Sequence, residues 1–179
     1  LRMGQAARFG FDLPMDTQVA FDWPSFITDR QRYIHMIHES YRTRLDRDGI
    51  LVLPSRGRLA GRDRVECEDG TCLTAPHIVL AAGSHPWRPD IPGAALGAIS
   101  DDFFRWCEAP PRVAIIGGGY IAIELAGVLQ ALGSQVDVFV REQRLLDGFD
   151  TQITVELAAD MRQHGVRLHF GHAVAALER

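Results

Sequence analysis

The segment from Arg112 to Arg141 constrains the fold most, because it contains the parts of a dinucleotide-binding βαβ unit in the required order. Its apolar run from Val113 to Ile116 predicts a parallel strand that is buried on both faces. A glycine-rich turn follows, and a helix is then predicted from Ile121 to Leu132. A second strand, predicted from Gln135 to Val140, completes the unit. The segment therefore predicts a Rossmann-type α/β fold.

The glycine-rich turn has the pattern G-x-G-x-x-A, formed by Gly117, Gly119 and Ala122. Gly117 suits a tight turn, Gly119 lets a pyrophosphate approach the backbone, and Ala122 lets the helix lie close to the strand. Free N–H groups and the dipole at the helix start favour the negative charge. A glycine turn without a ligand is the alternative, and the strand and helix on either side make it the less favoured one.

The residues after the second strand indicate which dinucleotide is bound. An NAD site usually has an acid there that accepts hydrogen bonds from the ribose, whereas an NADP site favours arginine near the 2′-phosphate. This chain has Val140 followed by Arg141, with Arg144 three residues later. A guanidinium can bind a phosphate through two hydrogen bonds, and Glu142 can point into solvent. The pattern predicts NADPH.

The composition is that of an ordinary globular protein, with 179 residues, 46% of them hydrophobic, and a net charge of −4. The negative charge argues against nucleic acid or an anionic membrane as a partner, and no apolar run reaches the length of a membrane span. Three cysteines without a secretory signal favour a reducing cytoplasm. Because the sequence starts Leu-Arg-Met-Gly, we expect an internal piece of a longer protein.

A long helix is predicted from Asp22, which can cap it, to Gly49, which can end it. Its apolar residues recur mostly at three- and four-residue steps. His35 and His38 lie three residues apart on this helix, but no clear third ligand completes a site. We interpret them as a solvated pair and predict no metal.

Short strands are predicted after this helix, around a hairpin turn at Glu68-Asp69-Gly70. They are Ile50–Leu53, Arg58–Ala60, Arg64–Cys67, Thr71–Ala75 and a buried strand His77–Ala82. Cys67 and Cys72 are expected to lie across the hairpin from each other. Because a hairpin has no helix dipole to activate a thiol, we interpret them as a structural or incidental pair, not a redox pair.

A proline pair, Pro110-Pro111, marks a predicted domain boundary. Before it, a short helix is predicted from Ser100 to Cys107, capped by Ser100 or Asp101.

After the second strand of the βαβ unit, Asp150 can cap a helix that ends at Gly165. A third strand is predicted from Val166 to Phe170. Three strands and two helices make half of a Rossmann-type sheet.

Four blocks of sequence carry a resemblance to known proteins. They are Phe21-Asp22-Trp23-Pro24 with the helix that follows to Tyr41-Arg42, His77–Gly83 with Pro89–Gly93, Ser100–Phe104, and Gly117–Gly127. Together they resemble the glutathione reductases, within the flavin-dependent pyridine nucleotide–disulfide oxidoreductases. The resemblance implies part of an FAD-binding domain in residues 1–108, with a long helix and a small antiparallel sheet. It implies an NAD(P)H-binding βαβ domain, incomplete at its C-terminus, in residues 109–179.

The resemblance also implies roles for residues of the glycine turn and its helix. Tyr120 is similar to the tyrosine that shields the flavin and moves aside for the nicotinamide, and Glu124 to the glutamate beside the nicotinamide. Gly118 and Ile121 are similar to residues whose backbone contacts NADPH. Arg141 is similar to the first of two arginines that hold the 2′-phosphate.

Further residues of the first domain are implied to contact FAD and the substrate. Gly57, Ala81, Ala82 and Gly83 match positions beside FAD, and Tyr41 matches a tyrosine that contacts glutathione disulfide. The implied cofactors are FAD and NADPH, and the full-length enzyme is expected to be a cytoplasmic homodimer. The implied mechanism passes hydride from NADPH to FAD and electrons to a redox disulfide, which then exchanges with glutathione disulfide.

The chain departs from this pattern in two residues that bear on the cofactors. Ala82 stands where the flavin turn usually has Thr. The second phosphate-binding arginine of the family falls at Asp147, an acid that weakens phosphate binding unless Arg144 replaces it. Ala122, Ala126 and Val140 are nonetheless typical of NADPH-dependent members.

The chain also lacks several parts of the resembled enzymes, namely the first G-x-G-x-x-G, the helix-borne redox C-x4-C and the C-terminal His-Glu base. We therefore expect no turnover from these 179 residues alone. One alternative is a related flavin reductase for dihydrolipoamide, mercuric ion or another small disulfide. The others are a stand-alone nucleotide-binding module without activity and a truncated, non-functional product.

Overall fold

The computed structural model describes residues 21–179. Their helices and strands are α1 Trp23–Arg47, β1 Gly57–Leu59, β2 Arg64–Cys67, β3 Cys72–Thr74, α2 Ser100–Phe103, β4 Arg112–Ile116, α3 Tyr120–Ala131, β5 Gln135–Val140, α4 Thr151–Gln163 and β6 Arg167–Phe170. The chain divides into two compact units. The first unit contains the chain up to Ile27 together with Pro86–Arg179, and the second unit is Thr28–His85. The predicted boundary between residues 108 and 109 stays a prediction.

The first unit is built on a parallel three-stranded sheet in the order β4-β5-β6. Ile116 pairs with Phe139, so the carboxyl ends of β4 and β5 meet at one edge of the sheet. α3 and α4 form the two crossover connections, and the usual right hand of such connections puts both on one face. On that face Val136 and Val138 are fully buried. The predicted βαβ unit is confirmed, with α3 and β5 within one residue of their predicted bounds.

The opposite face of this sheet is open within the described residues. It carries Ala114 and Ile116 beside Asp137 and Phe139, and Ile116 is 46% exposed. The prediction that the strand from Val113 to Ile116 is buried on both faces is therefore wrong for this part of the chain. The helices cover one face, and β4 lies at the edge of the sheet.

The start of α1 packs in the same unit. Asp22 caps the helix as predicted, because its carboxylate accepts hydrogen bonds from the N–H and hydroxyl of Ser25 at 3.1 and 2.6 Å. Trp23 is buried, and its indole N–H donates to the carbonyl of Trp106 at 3.2 Å. Its ring meets that of Phe103 edge-on, with centroids 6.4 Å apart. These contacts join the chain before the second unit to the chain after it.

The short helix before the proline pair differs from its prediction. α2 ends at Phe103, and its N-cap is Ile99, not Ser100 or Asp101. The Ile99 N–H donates to the Asp102 carboxylate at 2.9 Å, so the capping acid comes from within the helix.

The second unit contains the rest of α1 and an antiparallel sheet in the order β1-β2-β3. Cys72 pairs with Glu66, whereas Cys67 pairs with Gly57 on the other neighbouring strand. Because side chains alternate along a strand, Cys67 and Cys72 point to opposite faces. The two cysteines lie on the neighbouring strands of the predicted hairpin, but one residue out of register, and both are free thiols.

Two predicted strands do not form. Residues Ile50–Leu53 and His77–Ala82 have no regular structure, and Val79 is 86% exposed. Their apolar, β-branched residues suit a buried strand, but strand pairing requires a neighbour. Within residues 21–179 no segment provides one.

Candidate dinucleotide site

The glycine turn lies at the carboxyl end of β4 and is tied to β5. The Gly117 N–H donates to the carbonyl of Phe139 at 2.9 Å, and Gly117 has a φ of 126°, which suits only glycine. A Cβ on Gly118 would lie 2.7 Å from Cγ1 of the buried Val140. Backbone conformation and packing therefore require glycine at both positions, whether or not a ligand binds.

Gly119 differs, because nothing in the described residues requires glycine there. Its φ of −82° and ψ of 174° suit any residue, and an added Cβ would meet no atom within 4 Å. It is the N-cap of α3, and no side chain caps this helix start. An unfilled space in front of an uncapped helix N-terminus fits a pyrophosphate group, whose charge the N–H groups and helix dipole stabilise. The residues present therefore fit a dinucleotide.

α3 presents its first turn to solvent. Tyr120 is 64% exposed, Ile121 and Glu124 are also exposed, and Tyr120 and Glu124 lie one helical turn apart on the same face. Ala122 is half-buried and Ala126 fully buried, so small residues let the helix approach the sheet. The roles of Tyr120, Ile121 and Glu124 toward NADPH stay predictions.

The loop after β5 is anchored to the glycine turn. The Leu146 N–H donates to the carbonyl of Gly118 at 2.8 Å, and the neighbouring Leu145 is fully buried. Leu146 has a φ of 48°, which a branched side chain adopts at a cost of about 1–3 kcal/mol. This hydrogen bond fixes the loop that carries Arg141 and Arg144 beside the turn.

Arg141 lies directly after β5, where the sequence predicts the 2′-phosphate ligand. Its side chain is 80% exposed and donates from Nε and Nη2 to Oε1 of Glu142 at 2.9 and 2.7 Å. The guanidinium beside it lowers the pKa of the Glu142 carboxyl. Glu142, which the sequence allows to point into solvent, binds Arg141 in the structure.

Arg144 is held more firmly. Its side chain is 34% exposed, and Nε donates to Oδ1 of Asp147 at 2.9 Å. The guanidinium also donates to the Asp147 carbonyl and to the hydroxyl of Thr151, the first residue of α4. Asp147 therefore binds Arg144 directly, the residue that the sequence offers in place of the second phosphate-binding arginine of the family.

The residues predicted to contact FAD lie in the second unit. Gly57 lies in β1, where a Cβ would come within 2.9 Å of Cγ1 of Val65, so sheet packing already accounts for this glycine. Ala81, Ala82 and Gly83 lie in the irregular segment, and Gly83 has a φ of 71°. The groove at Gly57 is lined by Arg56, Gly57, Arg58, Glu66, Cys67 and Glu68. The described residues do not by themselves assemble these four positions into one FAD site.

Tyr41, the predicted substrate residue, is 64% exposed on α1. It lines a shallow groove with Ile37, Ser40 and Arg44. The Arg44 Nε lies 3.9 Å from an oxygen of Asp48. A phenol and a guanidinium side by side can bind a carboxylate.

No group of three or more His, Cys, Asp or Glu residues in the described part of the chain is arranged to hold a metal ion. Among residues 21–179 no helix is both long and apolar enough to cross a membrane.

The sequence did not reveal three residues that shape these sites. Leucine rarely adopts a left-handed backbone conformation, so nothing in the sequence predicts the positive φ that the structure shows at Leu146. Thr151 follows the predicted helix cap, but its contact with Arg144 depends on how the loop folds back. Arg44 lies three residues after Tyr41 on a helix, and this spacing, which is visible in the sequence, places both on one face.

Comparisons with known proteins bear on both units. A family model described as "Pyridine nucleotide-disulphide oxidoreductase" matches residues 7–179. A glutathione reductase of Nostoc sp. is 32% identical over 174 residues, which cover 97% of this chain and 37% of that protein. One of Burkholderia cepacia is 34% identical over 174 residues, covering 97% and 38%. The chain spans less than two fifths of the length of these curated relatives.

A solved structure supports the fold. The HOCl-induced flavoprotein disulfide reductase RclA of Escherichia coli superposes with a TM-score of 0.75 at 20% identity, over 90% of this chain and 38% of that one. The predicted fold class is confirmed: an α/β Rossmann-type unit together with part of an FAD-binding domain.

Proposed function

Because this chain belongs to the pyridine nucleotide–disulfide oxidoreductase family, we propose that it carries the NADPH-binding part of a glutathione-disulfide reductase. The family membership confirms the resemblance given by the four sequence blocks. The predicted cofactors, FAD and NADPH, are those of the glutathione reductases and flavoprotein disulfide reductases that the chain matches. NADPH binding at this turn and glutathione disulfide as substrate are proposals for this protein.

The observation that carries the proposal is the open space at Gly119, before the uncapped N-terminus of α3. A pyrophosphate placed there has the adenosine ribose toward the end of β5, since dinucleotides span the carboxyl ends of the strands. Arg141 is the first residue after β5 and is exposed. It is therefore the group best placed to bind a 2′-phosphate.

In this proposal the chain binds and orients the hydride donor. FAD bound in the full-length protein would supply the redox chemistry between NADPH and a disulfide. Tyr120 covers the place where the nicotinamide enters and moves aside when it arrives. Glu124, one turn further along α3, accepts a hydrogen bond there and fixes the orientation of the ring. Both side chains are exposed, as these roles require.

The groove at Tyr41 and Arg44 supports glutathione disulfide as the substrate. Glutathione disulfide carries carboxylates, and a guanidinium beside a phenol hydroxyl can bind one of them. Another small disulfide with a carboxylate fits the same pair. The predicted homodimer and cytoplasmic location stay predictions.

The proposal is tested by nucleotide binding to the purified full-length protein. We expect Arg141→Ala to weaken NADPH by about tenfold or more, because a charge-assisted hydrogen bond is lost, and to change NADH by less than about twofold. Arg112→Ala is the matched control, because Arg112 starts β4 at the opposite end of the sheet. Equal losses for NADPH and NADH would remove the 2′-phosphate assignment.

A yellow flavin absorbance that NADPH bleaches without oxygen tests the flavoprotein part, and its absence favours a stand-alone nucleotide-binding module.

A further inference from the structure

Each of the two arginines after β5 already has a carboxylate partner from the same loop. Arg141 donates two hydrogen bonds to Glu142, and Arg144 donates one to the carboxylate of Asp147. The positive charges that a 2′-phosphate would meet are thus balanced one for one. This balance distinguishes the loop from an electropositive phosphate site.

From this pairing we infer that Glu142 and Asp147 set the coenzyme preference, and that the site accepts NADH nearly as readily as NADPH. The inference rests on the proposed function, because it assumes that a nicotinamide dinucleotide binds at this turn. The two carboxylates are specificity-determining residues, and neither takes part in hydride transfer.

The physical reason is competition for the same N–H groups. The 2′-phosphate is a dianionic group that binds arginine through two hydrogen bonds, and Glu142 occupies the Nε and Nη2 donors of Arg141. NADPH must displace this carboxylate or bind close to it, and both cost free energy. NADH has a 2′-hydroxyl instead, and a carboxylate near the end of the second strand accepts hydrogen bonds from it. Glu142 therefore disfavours the phosphate and favours the hydroxyl.

Asp147 lowers the affinity of Arg144 for a phosphate mainly through its negative charge, because other groups also hold the guanidinium in place. Arg144 is also held by the carbonyl of residue 147 and by the Thr151 hydroxyl. These two hydrogen bonds survive in Asp147→Asn, whose side-chain oxygen still accepts from Nε. The substitution therefore removes one negative charge and leaves the guanidinium in place.

The test is the dissociation constant of NADPH and of NADH for the full-length protein and for Glu142→Gln, Asp147→Asn and the double variant. We expect the two constants to differ by less than about tenfold in the unsubstituted protein. Each substitution should tighten NADPH by about two- to fivefold, the range for exposed charge pairs, and Glu142→Gln should also weaken NADH. Asp160→Asn on α4 is the charge-matched control, because its partner is His164 at the far end of the helix.

The outcomes separate this inference from the proposed function. Preference for NADPH above about a hundredfold, or NADPH affinity unchanged in the double variant, overturns the inference and leaves the dinucleotide site intact. The same gain in Asp160→Asn shows a general charge effect and also overturns it. If neither nucleotide binds to the unsubstituted protein, the proposed function fails and the inference fails with it.

Discussion

The backbone N–H of Leu146 donates a 2.8 Å hydrogen bond to the carbonyl oxygen of Gly118, and Leu146 adopts a left-handed backbone conformation. This conformation is costly for leucine, so the contacts around it must maintain it. The bond joins the glycine turn to the loop of Arg141 and Arg144. The geometry of the proposed phosphate site therefore depends on the backbone of a residue whose side chain does not contact the phosphate.

Leu146→Pro should disconnect this loop from the glycine turn. Proline has no N–H to donate, and its φ near −65° is incompatible with the observed 48°. We expect loss of about 1 kcal/mol or more of stability and at least tenfold weaker NADPH binding, measured by denaturation and by titration. Leu146→Gly is the control, because glycine keeps the N–H and adopts positive φ without strain. NADPH binding that is equally weak in both variants would mean that the hydrogen bond is not the cause.

Gly119→Val should abolish dinucleotide binding and leave the fold unchanged. The observed φ and ψ suit any residue, and a Cβ meets no atom of the described chain. The valine side chain would instead occupy the space proposed for the pyrophosphate. Gly127→Val is the size-matched control, because Gly127 is exposed within α3 and has equally open surroundings. We expect melting temperatures within about 2 °C of the unsubstituted protein and loss of binding only in Gly119→Val. Full NADPH affinity in Gly119→Val would place the pyrophosphate elsewhere.

Gly118→Ala should destabilise the first unit by about 1–3 kcal/mol, because its Cβ would overlap a methyl group of the buried Val140. Val140→Ala removes that methyl group and leaves a cavity of its own. In the double variant the new methyl fills part of the cavity, so the two losses of unfolding free energy should not add. A double-mutant cycle from denaturant unfolding measures this coupling. Strict additivity would contradict the packing that the structure shows.

The sequence predicted the βαβ unit well because its signals are local. The glycines at fixed spacing specify the turn between a strand and a helix, and Asp150 specifies the start of the next helix. The structure confirms the strand-turn-helix and the cap. Asp150 accepts hydrogen bonds from the N–H groups of Gln152 and Ile153 at 2.9 and 3.2 Å. The site residues of this unit follow from the same spacing, which is why Gly117, Gly119 and Arg141 lie at one edge of the sheet.

The features that the sequence missed depend on strand pairing and on how a loop folds. His77–Ala82 has the composition of a buried strand, but pairing depends on a neighbour that no local signal specifies. The register of the hairpin places Cys67 and Cys72 on opposite faces, and composition does not determine register. The pairing of Arg144 with Asp147 depends on how the loop folds, and Leu146 fixes that fold through a backbone bond.

Asp137 on the open face of the parallel sheet should make the stability of the first unit depend on pH. Arg167 donates to its Oδ1 from Nε at 2.7 Å, and the His169 Nε2 lies 2.8 Å from the same oxygen. These partners, Arg167 first, hold the pKa of the Asp137 carboxyl well below its usual range. The His169 ring also stacks on Phe139, with centroids 4.6 Å apart, which orders the cluster.

Because the folded pKa of Asp137 is lowered, the unfolded chain binds the proton more readily, and acid favours unfolding. The stabilisation is complete above the ordinary Asp pKa of about 4 and is lost as the pH falls from there toward the folded value. Asp137→Asn should therefore lower the melting temperature by about 2–4 °C at pH 7, and the difference from the unsubstituted protein should narrow below pH 4. Asp160→Asn, whose exposed partner His164 directly follows α4, should show a smaller difference at every pH. A difference for Asp137→Asn that stays constant from pH 7 to pH 3 would show that its carboxylate charge does not stabilise the fold.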